Sequence, residues 1–220
     1  MIFLMRNRSI LGIMYPNPKF TGEQMLKDID RKIDDVIENL RKKNFNVIHV
    51  QTPQAAKAEV MKLIKEGESV GVGGSMTIRA IDVMDELTAA GNKVIHHWLP
   101  ATFIDEIKDA RRRATRADVY LCSTNAITMD GELVNMDTYG NRVTGMIYGP
   151  KKVIIVAGYN KIVRNTEEAF KKIRGETAVK NAKRQNMDAP DNLCKVATII
   201  YQRPNDTDIT IILVNAELGF

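Results

Sequence analysis

Residues 70–87 read VGVGGSMTIRAIDVMDEL. A short apolar run passes through Gly73 and Gly74 into Ser75, Met76 and Thr77, and apolar residues then recur at Ile78, Ile81, Met84 and Leu87. The change from a continuous run to a recurrence every three residues predicts a strand that turns sharply into a helix. Asp82 and Asp85 fall beside the apolar face, towards solvent, and Gly91-Asn92 closes the helix. In an open parallel sheet, ligands bind beyond the carboxyl ends of the strands. This turn is therefore the first place to look for a site.

The pattern repeats on both sides. Upstream, Thr21 and Gln24 have capping-box spacing, and Met25, Ile29, Ile33, Val36, Ile37 and Leu40 keep a helical period up to Asn44. The strand FNVIHV (45–50) follows, and Thr52-Pro53 open a second helix that Gly67 ends. Downstream, KVIHHW (93–98) reads as a strand, a helix carries Phe103, Ile104, Ile107 and Ala110, and ADVYLCST (117–124) reads as a strand buried on both faces. GELVNMD (131–137) predicts a strand, NRVTGMIYG (141–149) a short helix, and KKVIIVAG (151–158) the strongest strand of all. After a helix over 166–185 come KVATIIYQR and DITIILVN, which Pro204-Asn205-Asp206 would join into a hairpin at one end of the sheet. Alternating strands and helices predict an α/β fold with a parallel or mixed sheet covered on both sides.

The 220 residues are 44% hydrophobic and 27% charged, the balance of a globular protein, and suffice for one substantial core. Lys and Arg number 32 against 27 Asp and Glu, an interleaved +5 that argues against nucleic acid as a partner. The densest basic run, Arg111, Arg112, Arg113 and Arg116, reads as a solvated helix face. Two cysteines, Cys122 and Cys194, give no disulfide framework and fit a reducing compartment. No window of eighteen apolar residues is present, and the first residues lack signal-peptide order, so a cytoplasmic protein without membrane attachment is expected. Residues 1–14 read as an extension, with Met14 a candidate start, and residues 15–220 as a single domain.

Three loops at strand ends carry unusual polar density. In the first, Gly73, Gly74, Ser75 and Thr77 could cradle an anion on backbone N–H groups and hydroxyls, or simply form a tight turn with a helix cap. The second, STNAITMDGELVNMD (123–137), places Asn125, Glu132, Asn135 and Asp137 beside an apolar strand, with Asn141 just beyond. Glu132 and Asp137 are the carboxylates available for acid–base or nucleophilic work. The third, GYNKIV (158–163), offers Asn160 and Lys161 as a pair for a carboxylate or phosphate. Their convergence on one sheet edge predicts a pocket for a small anionic metabolite. His96 and His97 alternate across a strand and cannot easily share an ion, so no metal site is expected, and no cofactor is identified.

VGVGGSMTIRAIDVMDEL, the segment ADVYLCSTNAITMDGELVNMDTYGNRVTGMIYGPKKVIIVAGYNKIV (117–163), NAKRQN (181–186) and the ending DITIILVNAELGF together resemble the LUD domain family, the lactate-utilisation proteins and their single-domain relatives. The resemblance implies a three-layer α/β/α Rossmann-like sandwich, similar to the ribose-5-phosphate isomerase and CoA-transferase group, in which a glycine-rich loop holds a phosphate or CoA. Gly73, Gly74, Ser75 and Thr77 match that loop in position. It also implies a link to lactate or organic-acid metabolism. Two alternatives are an isomerase or acyl/CoA transferase using a carboxylate, and a non-catalytic subunit beside partners in a lactate-oxidising complex. The four-cysteine motif of an iron–sulfur cluster is missing from this chain. A homodimer is the expected assembly, as the commonest symmetric one.

Overall fold

The computed structural model describes residues 22–100 and 102–220. The readings of residues 1–14 and of the Thr21 cap lie outside them. Two compact units divide the chain, residues 1–35 and 36–220. Helix α1 (Gly22–Lys42) begins in the first unit and ends in the second.

The second unit holds the strands, and its main sheet has six of them: β1 (Asn46–Val50), β2 (Ser69–Val72), β3 (Lys93–Ile95), β4 (Val119–Cys122), β7 (Lys152–Gly158) and β10 (Asp208–Val214). They are ordered β1-β10-β7-β4-β2-β3 and every pair is parallel. Helices α2 (Pro53–Leu63), α3 (Met76–Ile81) and α4 (Met84–Ala89) supply Ala56, Val60, Ile78, Ile81 and Leu87 to one face. Val70, Val72, Val119, Leu121, Ile154, Val156, Ile212 and Val214 meet them there, two residues apart along each strand as a pleated backbone requires. On the opposite face α5 (Ile104–Ala114) and α6 (Asn141–Tyr148) pack against β2 and β4. Both faces are covered, which is why β4 and β7 read as unbroken apolar runs. The result is a three-layer α/β/α Rossmann-like fold.

A second sheet has the order β8-β5-β6-β9, with β5 (Ala126–Thr128), β6 (Leu133–Asp137), β8 (Ile162–Val163) and β9 (Val196–Ile200). The helix α7 (Thr166–Lys172) covers it through Ala169, next to Ala126, Val134, Met136 and Val163. The loops after β4 and β7 lead directly from the main sheet into β5 and β8. Those crossings carry the polar residues noted in the sequence.

Four expectations need correction. The last two strands form no hairpin: β9 pairs antiparallel with β6 in the small sheet, whereas β10 lies between β1 and β7 inside the large one. Arg203 anchors the crossing, donating to the main-chain oxygens of Asn44 and Thr207. The helix after the glycine turn is broken, because Asp82 takes a left-handed conformation (φ 52°) and ends α3 before α4 begins. KVIHHW is a strand only to Ile95, after which His96–Trp98 leave the sheet. The helix over 166–185 is continuous in direction but contains a π-helical turn, Ile173–Thr177, between α7 and α8 (Ala178–Arg184). Among the described residues no helix is long and apolar enough to cross a membrane.

Candidate functional site

A cleft of about 320 Å³ opens beyond the carboxyl ends of β2, β4 and β7, where the chain crosses between the two sheets. The three polar loops do converge on it. Gly74, Ser75 and Thr77 form one wall, Ser123–Asn125 the next, and Lys161 a third, joined by Asp137 and Asn141.

Each predicted residue has a definite position. Gly73 is tightly packed: an added Cβ would sit 3.0 Å from Tyr120 Oη, 3.1 Å from Cys122 Cβ and 3.3 Å from Arg142 Cγ, so a side chain there would force these neighbours to give by a few tenths of an ångström. Gly74 faces the His97 ring, which an added Cβ would meet at 3.2 Å. Ser75 Oγ accepts the Ile78 N–H at 3.2 Å and caps α3. Thr77 Oγ1 donates to the Leu218 carbonyl at 3.2 Å. Asn160 also holds residues 218 and 219, its Oδ1 accepting the Leu218 N–H at 3.1 Å.

Asn125 and Asn135 belong to a network centred on Arg142, a residue absent from the sequence-based candidates. Arg142 is buried, 8% exposed, and its guanidinium donates to Asn135 Oδ1, Asn125 Oδ1 and the carbonyls of Ser123 and Met136. Asn135 Oδ1 also accepts from Thr124 Oγ1 and the Asn125 N–H. Asn135 is thus structural, behind the wall, whereas Asn125 and Asn141 reach the cleft. Asp137 lines it too, but Oδ1 accepts the Thr138 N–H and Oδ2 the N–H groups of Arg142 and Val143, capping α6. Glu132 is not brought to the cleft. It closes the β5–β6 turn, exchanging hydrogen bonds with Thr128 Oγ1.

Lys161, 2% exposed, ends a short turn after β7 and donates to the main-chain oxygen of Phe220. Burial, then Lys172 and Arg142, pulls its pKa down to about 7. His97 falls to about 4 through burial, Arg111 and His96, so its ring is neutral near pH 7. Cys194 lines the cleft, while Cys122 is buried in β4, where desolvation pushes its thiol up to about 12.

Arg111, Trp98 and Arg184 also line the cleft and were not among the predicted residues. Arg111 stacks on the Tyr139 ring, 3.8 Å from its centroid, and Arg79 lies 5.6 Å from the Trp98 ring centroid. The basic run at the end of α5 and just beyond it is therefore divided, since Arg112, Arg113 and Arg116 are exposed while Arg111 turns inward. The π-helical turn contributes Ile173 and Thr177, and α8 contributes Asn181 and Arg184. His97 Nδ1, Thr177 Oγ1 and Arg111 Nε are shut off from solvent without a hydrogen-bond partner among the described residues. The lining carries the Arg111, Arg142 and Arg184 guanidinium groups and the Lys161 amine against one acidic side chain, Asp137, and none of these four basic groups pairs with an acidic side chain among the described residues.

No curated protein matches the chain. Among solved structures, a DUF162 family protein from Deinococcus radiodurans is similar, with a TM-score of 0.53 and 13% identity over 85% of this chain and 98% of that one. eIF2B delta from Chaetomium thermophilum gives a TM-score of 0.37 and 10% identity over 76% of this chain and 65% of that one. The first likeness supports the same fold. The sequence model of the LUD domain matches residues 33–214, and on that match the chain belongs to the LUD domain family.

Proposed function

We propose that the protein binds a small organic anion, a carboxylate- or phosphate-bearing metabolite, in the cleft beside Gly74. One observation carries this reading: the Arg111, Arg142 and Arg184 guanidinium groups, with the Lys161 amine beside them, line the cleft against a single acidic side chain, Asp137, whose oxygens already accept main-chain N–H groups. Uncompensated positive charge in a partly desolvated cleft is costly alone and favourable around an anion. The volume of about 320 Å³ suits a metabolite of a few carbons. Within this reading the glycine turn shapes the wall while Arg111 and Arg184 supply the attraction. The family's link to lactate utilisation favours organic acids as ligands, with the protein working in the cytoplasm, as a homodimer or beside lactate-oxidising partners. A reaction driven by Glu132 lacks comparable support, because that carboxylate lies away from the cleft.

Thermal denaturation against lactate, oxalate, pyruvate and phosphate tests the reading. An anion at a hundred times its Kd stabilises by about 2.7 kcal/mol, or about 5–10 °C for a chain of this size. Arg111→Ala and Arg184→Ala are each expected to weaken that anion about tenfold or more, the worth of a charged hydrogen bond. A flat response across the whole panel overturns the reading.

A further inference from the structure

We infer that the ligand of the cleft is a polyhydroxylated acid: a short carbon chain whose single anionic group meets Arg111 and Arg184 and whose hydroxyl groups meet Asn125, Asn141, Asn181 and Thr177. The inference rests on the anion-binding reading and adds the substrate class.

Thr177 carries the most telling group. It is 7% exposed, lines the cleft, and its Oγ1 has no hydrogen-bond partner among the described residues. A helical threonine ordinarily gives its hydroxyl proton to a carbonyl one turn back. Thr88 does so to the Met84 carbonyl at 3.0 Å, and Thr115 to that of Arg112 at 2.9 Å. Thr177, at the end of the π-helical turn, makes no such bond. A buried hydroxyl without a partner is costly, and a ligand hydroxyl removes that cost by accepting from it or donating to it.

The amides on the lining lead to the same class. Asn125 Oδ1 is taken up by the Arg142 guanidinium and the Met136 N–H, which leaves Nδ2 as a free donor among the described residues. Asn181 Oδ1 accepts from Nε and Nη2 of Arg184 at 3.1 and 2.9 Å, and its Nδ2 is left in the same way. The Asn141 carbonyl accepts from Tyr120 Oη, but its side chain has no hydrogen-bond partner among the described residues. These uncharged groups exceed what a short acid without hydroxyl groups can engage once Arg111 and Arg184 hold its carboxylate. Ligand hydroxyls match them without adding charge. A second anionic group is the poorer match, because the Asp137 carboxylate lies on the same lining. A cleft of about 320 Å³ has room for a sugar-sized chain.

The test is calorimetry on the full chain with acids matched in length. Propionate, lactate and glycerate carry no, one and two hydroxyl groups on the same carbon chain, and hexanoate and gluconate extend the comparison to a longer one. Each hydroxyl that finds a partner is expected to tighten binding about two- to tenfold. Propyl phosphate and glycerol 3-phosphate repeat the comparison with the other anionic group, and the tighter-binding series names that group. Thr177→Val and Asn141→Ala should each shrink the ratio of glycerate to propionate affinity about two- to tenfold. Arg111→Ala should weaken both acids and keep the ratio, as would a Thr177 that only held the fold. Equal affinities along the three-carbon series, tighter binding of succinate than of gluconate, or a ratio unmoved by both polar substitutions overturns the polyhydroxylated ligand and leaves the anion reading standing. No binding of any acid or phosphate overturns the two together.

Discussion

Arg142 joins stability and site geometry in one side chain. Its four hydrogen bonds tie the loop after β4 to the end of β6, and so set the wall that carries Asn125. Arg142→Ala would leave two amide oxygens and two carbonyls short of a donor, and is expected to lower the unfolding free energy by roughly 3 kcal/mol in urea titration. Arg142→Lys should recover only a minor part, because an ammonium cannot span both branches of the fork. A loss below about 1 kcal/mol for alanine would mean that the network closes without it. Lys161 makes a separate, pH-dependent contribution. Its folded pKa of about 7 lies below the ordinary lysine value of 10.5, so between those values the unfolded chain holds the extra proton. Stability therefore rises with pH across that window, and the penalty is complete below about 7. The urea midpoint of the wild type should climb from pH 7 to 9.5 relative to Lys161→Met, and parallel profiles would contradict the shift. Residues such as Gly74, Asn125 and Lys161 were legible because they directly follow apolar strands. Arg142, Arg111 and Arg184 were not, since each sits on a helix whose phase against the sheet depends on tertiary packing.

Among the elements, the π-helical turn Ile173–Thr177 has the clearest bearing on the site. One extra residue in the turn shifts the following helix by about 100°, which lets Thr177, Asn181 and Arg184 reach the cleft together. Deleting Gly175 restores α-helical register ahead of α8 and carries Arg184 off the cleft. The expected outcome is a folded protein whose anion affinity falls at least as far as that of Arg184→Ala, measured by calorimetry. Gly175→Ala keeps the turn, and an added Cβ meets nothing within 4 Å, so stability should increase by about 0.5–1 kcal/mol. Periodicity shows helix on either side of such an insertion but not the insertion itself, so residues 166–185 read as one unbroken helix. The break at Asp82 was hidden for the same reason, as Ile78, Ile81 and Leu87 remain buried through it.

In the whole molecule, the last strand in the chain is a central one. β10 pairs with β1 on one side and β7 on the other, and Asn46 and Asp208, hydrogen-bonded across the first pair, are 162 residues apart. The run DITIILVN carried this information, because a strand buried on both faces has no polar alternation, whereas β9 is only partly buried and lies at an edge. The turn residues at 204–206 outweighed that signal in a hairpin reading, although they only redirect the chain between sheets. The two topologies differ in what truncation does. A terminal hairpin could be removed at the cost of one sheet edge. With β10 central, a chain ending at Thr207 leaves β1 unpaired and exposes β7 along its full length, and it forfeits the burial of Ile209, Ile211, Ile212, Leu213 and Val214. At about 1.5–3 kcal/mol for each large side chain, that loss is comparable to the whole of the roughly 5–15 kcal/mol by which domains are usually stable. The chain ending at Thr207 should show no cooperative urea transition, while the full chain shows one. Cooperative unfolding of the truncated chain would place β10 at an edge after all.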